Sequence, residues 1–174
     1  MFFPENFKLP SKTDGYMKIQ KGENRIRILS ANPILGTQYW TTEQNDSGQE
    51  ISRPHRVRPD EKIVFPENLK DSPQYFTAFV VWDYAETRAR ILLLTQKMII
   101  RPLVELTQNK KWGDPRDYDI VITKTGEGKE GTKYQVFPEP KSEFEPMNQE
   151  EIQALVNNID LNALYDGGDP FANL

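Results

Sequence analysis

Apolar and polar residues alternate in two early runs, Tyr16-Met17-Lys18-Ile19-Gln20 and Arg25-Ile26-Arg27-Ile28-Leu29. A two-residue period marks strands with one buried face. Lys21-Gly22-Glu23-Asn24 between them supplies turn residues. After Pro33, residues 37–42 are rich in aromatic and β-branched side chains and read as a further strand. Residues 43–74, interrupted by Gly48, Pro54, Pro59, Pro66 and Pro73, read as a long loop. Loops of that length in compact domains are usually functional or partly disordered. Strand patterns return over 75–82 and 88–94. A helix is expected over 95–109, with Met98, Ile99, Pro102, Leu103 and Leu106 on one face. Pro102 predicts a kink or a break there. Trp112-Gly113-Asp114-Pro115 ends it. Two more strands follow at 118–123 and 132–137, joined by a turn through Gly126, Gly128 and Gly131. Asn148 with Glu151 forms a capping box for a short helix over 149–157, and 160–174 reads as mobile.

This order predicts a mainly β chain with one or two helices. An OB-like five-stranded barrel, enlarged by the 43–74 loop, fits it, and so does a β-sandwich with one helix. Helices do not alternate with strands, which excludes an α/β fold. Three parts are expected: an arm at 1–14, a domain at 15–141, and an acidic helix with a flexible tail at 142–174.

Charge sharpens this division. The chain has 174 residues and a net charge of −4, from 22 Lys and Arg against 26 Asp and Glu. All the bases lie before residue 142. Beyond it stand Glu143, Glu145, Glu150, Glu151, Asp160, Asp166 and Asp169 without a single base. A mildly basic body with an acidic tail implies two electrostatic roles. No apolar run is long enough to span a bilayer, and the N-terminus lacks the pattern of a secretory signal. With no Cys and one His, thiol chemistry and most zinc sites are ruled out, and no cofactor or metal is expected.

Several constellations carry possible chemistry. Gly126 to Lys133 approaches a phosphate-binding loop, but Thr-Lys stands where Lys-Ser or Lys-Thr is needed, so a hairpin turn is the better reading. Asp114, Asp117 and Asp119 could serve a Mg²⁺-dependent nuclease. Arg53-Pro54-His55-Arg56-Val57-Arg58 sets Arg53, Arg56 and Arg58 close together, and guanidinium groups pair with phosphate and stack on bases. Arg25 and Arg27 would project from one strand face, with Lys18 on the matching face of the preceding run. Tyr39 and Trp40 are neighbours on a strand, so one enters the core and the other is free to stack on a base. Trp112, between Lys111 and Arg116, either joins a basic rim or closes the barrel.

The run from Tyr16 to Leu29, the Thr95-Gln96-Lys97 helix start, Lys111-Trp112-Gly113-Asp114-Pro115, and Tyr118-Asp119-Ile120 through Thr132-Lys133-Tyr134 resemble phage-type single-stranded DNA-binding proteins. The resemblance covers roughly residues 8–140. It implies an OB-like core and a non-enzymatic cytoplasmic protein that coats single strands during replication, recombination or repair. It adds Lys133 and Tyr134 to the DNA-binding residues. Asp166-Gly167-Gly168-Asp169-Pro170-Phe171 is similar to the acidic tips by which bacterial single-stranded DNA-binding proteins engage partners. That implies Asp166, Asp169, Pro170 and Phe171 as contacts for replication or recombination proteins. The charge and expected mobility of residues 142–174 predict a tail that competes with DNA for the basic face. Here Ala172-Asn173-Leu174 follow the Phe, and the Cys ligands of zinc-bearing phage relatives are missing. A homo-oligomer is compatible with this reading. The nuclease and a non-catalytic scaffold remain alternatives. Phe3-Pro4-Glu5-Asn6-Phe7-Lys8 and Phe65-Pro66-Glu67-Asn68-Leu69-Lys70 are near copies. They fit a shared turn, or docking of both on one kind of hydrophobic site.

Overall fold

The structure, a computed structural model, describes residues 12–174. Most of the N-terminal arm expected at 1–14 lies outside the described residues. Seven antiparallel strands form one open sheet: β1 (Gly22–Ile28), β2 (Ile34–Gln44), β3 (Glu50–Val57), β4 (Gln74–Asp83), β5 (Arg88–Leu94), β6 (Tyr118–Thr125) and β7 (Lys133–Lys141). The helices are α1 (Lys97–Gln108), a single turn α2 (Gly128–Gly131), α3 (Gln149–Asn158) and α4 (Ala163–Asp166).

β4 organises the sheet. β5 runs along one edge, Thr77 opposite Leu94 through Asp83 opposite Arg88. β1 and β2 share the other edge end to end, Ile28 opposite Val81 and Ile34 opposite Ala78. The chain bulges between them, and the Ser30 hydroxyl fills the gap by accepting from the Val80 amide at 3.0 Å. From there the sheet divides. β3 extends it from β2, and β6 followed by β7 extends it from β1. No pairing joins β5 to β7 among the described residues, so the expected five-stranded barrel is not closed. Leu92 and Leu94 of β5 and Val136 of β7 are instead bridged by Ile99, Ile100 and Leu103 of α1, in a core shared with Ile26, Ile28, Phe79, Val81, Ile120 and Ile122.

The other face of β4 and β5 is also covered, which is why β4 reads as an unbroken apolar run. Leu29, Ala78, Val80 and Ile91 pack against Ile152 of α3, Ile159 just past its end, and Leu164 of α4. The segment expected to be a mobile tail is therefore a second layer. Phe171 meets the Tyr16 ring edge-on with centroids 5.8 Å apart, and a Cβ on Gly15 would collide with it. Pro170 is buried, and its carbonyl accepts from the Asp160 amide at 2.9 Å.

Two further expectations are corrected. Residues 16–20 contribute one bridge, Tyr16 to Ile91, rather than a strand. The Asn24 amide side chain holds the turn instead, donating to the carbonyls of Gln20, Gly22 and Ile122. The 43–74 loop contains β3, paired with β2 from Thr37–Val57 to Gln44–Glu50. Its Pro54 is tolerated because β3 is an edge strand. α1 runs through Pro102 as one element.

Candidate nucleic-acid interface

Register divides the β1–β6–β7 wing into two faces. Gly22, Lys124 and Tyr134 lie in one row across the strands. That row is the last on the core side, where the hairpin turns through α2. Tyr134 packs one side of its ring on the core and is half-buried. It also lines an open pocket together with Gln96, Lys97, Met98, Lys124, Lys129 and Thr132. None of these three lysines is in an ion pair among the described residues, and Lys133 follows immediately on β7.

The same pocket receives the N-terminus of α1. Gln96 caps it without a side-chain bond, and no acidic residue stands in its first turn. The first amides of a helix carry partial positive charge and lack intrahelical acceptors, so they favour an anion such as phosphate. Lysines, free helix amides and a half-exposed aromatic ring thus meet at one spot. Sequence alone points to Lys133 and Tyr134 but not to Lys97, Lys124 and Lys129, which come together only when the β6–β7 turn folds over the start of α1. The available signal was the four-lysine content of these two segments.

On the outer face, Arg25, Val121 and Phe137 form one row across β1, β6 and β7. Phe137 is 52% exposed, and Arg25 lies over the Tyr84 ring at 5.6 Å. Neither Phe137 nor Tyr84 was singled out from sequence. Strand alternation placed Phe137 opposite the core-facing Tyr134 and Val136, and that was the legible clue.

Other expected contacts are engaged elsewhere. Arg27 is 2% exposed, not projecting into solvent. Its Nε donates to Asp119 Oδ1 at 2.6 Å, and its other nitrogens donate to the carbonyls of Arg116 and Ser142 and to Ser142 Oγ. Asp119 also accepts from Arg25 Nε at 3.0 Å and from the Tyr84 hydroxyl at 2.7 Å. Burial pushes the Asp119 carboxyl up, but the bonds from Arg27 and Tyr84 and the Arg27 charge outweigh it and hold the group below its ordinary range. Burial, with the bond to Asp119, pushes the Tyr84 hydroxyl up to about 12. Asp114 is paired with Arg116 at 2.7 Å, and the hydrogen bond from that guanidinium lowers its carboxyl. Two of the three carboxylates considered for a Mg²⁺ site thus neutralise arginines. Among the described residues no group of three or more His, Cys, Asp or Glu could hold a metal ion.

Tyr39, Trp40 and the 53–58 stretch lie on the β2–β3 ribbon, across β4 from the lysine pocket. Tyr39 stacks on His55 with centroids 4.9 Å apart. Trp40 is half-buried on the opposite side of the ribbon. Arg53 pairs with Glu43 at 3.3 Å. Arg56 donates to Gln38 at 2.8 Å, and Arg58 lies 4.4 Å over the Tyr165 ring, so these two tie β3 to its neighbours. Trp112 is half-buried against Tyr118 and the main core, and Lys18 is exposed. Of the expected partner contacts, Asp166 is exposed, while Asp169 accepts from the Phe171 amide at 3.0 Å and Phe171 faces the fold. No helix among the described residues is long and apolar enough to cross a membrane. No protein-family model, curated protein or solved structure matches the chain.

Proposed function

We propose that the protein binds single-stranded DNA without strong sequence preference and without catalysing a reaction on it, as a component of replication, recombination or repair. The observation that carries this reading is the pocket at the start of α1 that Lys97, Lys124 and Lys129 line together with Tyr134. Cations follow the phosphates and a ring stacks on a base, which is what sequence-tolerant capture of a single strand requires. Arg25 of β1 and Phe137 of edge strand β7 continue the track on the other face of the sheet. The connectivity supports an OB-like relation. β1 pairs with β4 and β6, β4 with β5, and β6 with β7, with a helix between β5 and β6. An OB-like sheet of this kind lacks only the pairing that would close it. With Arg27 and Asp119 serving the fold, the DNA track uses Arg25, Lys133 and Tyr134 of the expected residues and adds the three pocket lysines.

The test is fluorescence anisotropy with a labelled oligothymidine, a matching hairpin duplex and a matching RNA, each with and without Mg²⁺. The single strand is retained intact, and Lys97→Ala with Lys129→Ala weakens its binding about tenfold or more while leaving thermal stability unchanged. Cleaved strands with Mg²⁺ would instead establish a nuclease. Equal binding by the double variant would remove the pocket from the interface.

A further inference from the structure

α1 packs against β7 on one flank. On another it borders a cleft shared with the first half of β4 and the start of β2. The floor of this cleft is buried and apolar, formed by Phe79, Ile100 and Leu103. Its rim is open: Leu35 is 38% exposed, and Tyr75 and Val104 are each 43% exposed. The volume is about 260 Å³. Drug-sized ligands occupy ~300–1,000 Å³, so the space suits a single flat ring system. No charged side chain among the described residues lines it. Its hydroxyls are already engaged. Thr77 donates to the Ile34 carbonyl at 3.0 Å, Thr107 donates to the Leu103 carbonyl at 2.9 Å, and Ser30 accepts from the Val80 amide. Such a lining holds a ring through apolar contact and imposes no hydrogen-bonding code on it.

The charge around the cleft says what the ring is attached to. Lys97, Arg101, Val104 and Gln108 recur at helical spacing and are all exposed, so they share the solvent face of α1. Lys97 lines the lysine pocket, and Val104 lines the cleft. Arg101 lies between them, and Lys110 and Lys111 follow Thr107 past the end of the helix. All three are exposed and in no ion pair among the described residues. Against these four cations, residues 97–111 contain one acid, Glu105. A ligand with phosphates on either side of an apolar ring complements that arrangement.

We propose that the cleft between α1 and β4 receives one unstacked base of the bound single strand, whose phosphates run from the lysine pocket past Arg101. Tyr75 supplies the exposed ring on which that base stacks. The proposal rests on the DNA-binding reading and adds a base subsite to it. The spacing fits a short run of strand. Lys97 and Val104 lie about 10 Å apart along the helix axis. At the ~3.4 Å per nucleotide of a stacked strand this is about three nucleotides, and fewer in an extended one.

The test is photo-cross-linking of the full chain to oligothymidines in which one thymine at a time is replaced by iodouracil. A cross-link to Tyr75 is expected, from a position about three nucleotides or fewer from the one that cross-links to Tyr134. Affinity titrations supply the second arm. Tyr75→Ala weakens oligothymidine binding at least about fivefold, the loss expected for a stacking ring. It leaves the salt slope unchanged because no phosphate contact is removed, whereas Arg101→Ala lowers the slope by about 0.7. An oligomer of abasic sugar-phosphate units binds the native and Tyr75→Ala chains equally, having no base to lose. Lysine-dependent retention of the strand without a Tyr75 cross-link would overturn this subsite and leave the DNA-binding reading standing. No retention of the strand would overturn both. An affinity loss in Tyr75→Ala that persists with the abasic oligomer would assign the ring a structural role and also overturn the subsite. If Tyr75→Ala lowers the thermal transition, the cross-link in the native chain decides.

Discussion

Arg27 carries more of this structure than any exposed cation does. Its guanidinium is buried against Asp119 and donates to both the backbone and side chain of Ser142, with the Phe144 ring 5.7 Å away. It therefore fastens the C-terminal layer to the sheet at the point where that layer begins. Asp119→Asn leaves a buried guanidinium without its charge partner, which costs about 3–5 kcal/mol. Urea unfolding near pH 7 measures this loss. The pH dependence follows from the lowered carboxyl of Asp119. A group depressed on folding stabilises fully above its unfolded value, and that contribution is lost as pH falls through the folded one. The gap between native and Asp119→Asn stabilities therefore narrows below about pH 4 and is constant from about pH 6 to 8. A gap that widened in acid would show that Asp119 is not held ionised by its arginines.

At the level of elements, the strands with clean alternation or dense apolar runs were legible, and so were α1 and the capping box of α3. Asn148 accepts from the Glu151 amide at 2.8 Å, as that spacing implied. β3 was hidden because it mixes arginines, a proline and a histidine, with no apolar period. Its place is imposed by its partner strand, and Gly36 lets it approach, since a Cβ there would strike the Val57 carbonyl. The C-terminal layer was missed because acidic charge outweighed a quieter signal. Ile152, Leu155, Val156 and Ile159 recur at helical spacing and bury one face of α3. The lysine pocket was illegible for a different reason: its residues come from two segments brought together by folding alone. The acidic segment consequently acts on stability before it can act on DNA. Truncation after residue 148 strips the cover from Leu29, Ala78, Val80 and Ile91. An exposed apolar patch of this kind binds hydrophobic dyes and drives association. We expect the truncated chain to show strong dye fluorescence and a thermal transition lowered by ten degrees or more (roughly 3–5 kcal/mol at this chain length). A truncated chain with native stability, and with tighter DNA binding at low salt, would restore the mobile competing tail.

For the whole molecule, a net charge of −4 argues against polyanion binding only if charge is spread evenly, and it is not. The base-free C-terminal layer lies over β4 and β5, whereas Lys97, Lys124, Lys129 and Lys133 gather where β6 turns into β7. Long-range repulsion from the acidic layer is screened beyond about 10 Å at 0.1 M salt, while contacts in the pocket act at closer range. Counterions released from a bound single strand then set the salt response. Four phosphate contacts give a log–log slope of affinity against salt near −0.7 × 4, about −3, and Lys97→Ala with Lys129→Ala reduces it by about 1.4. Replacing Arg53 and Arg58, which are paired with Glu43 and Glu61, leaves the slope unchanged. Titrations between about 50 and 200 mM salt resolve these differences, because each lost contact changes affinity measurably over that range. A slope indifferent to the two lysines but reduced by the two arginines would move the DNA from the β6–β7 turn to the β2–β3 ribbon. A slope near zero for the native chain would remove the electrostatic basis of the reading altogether.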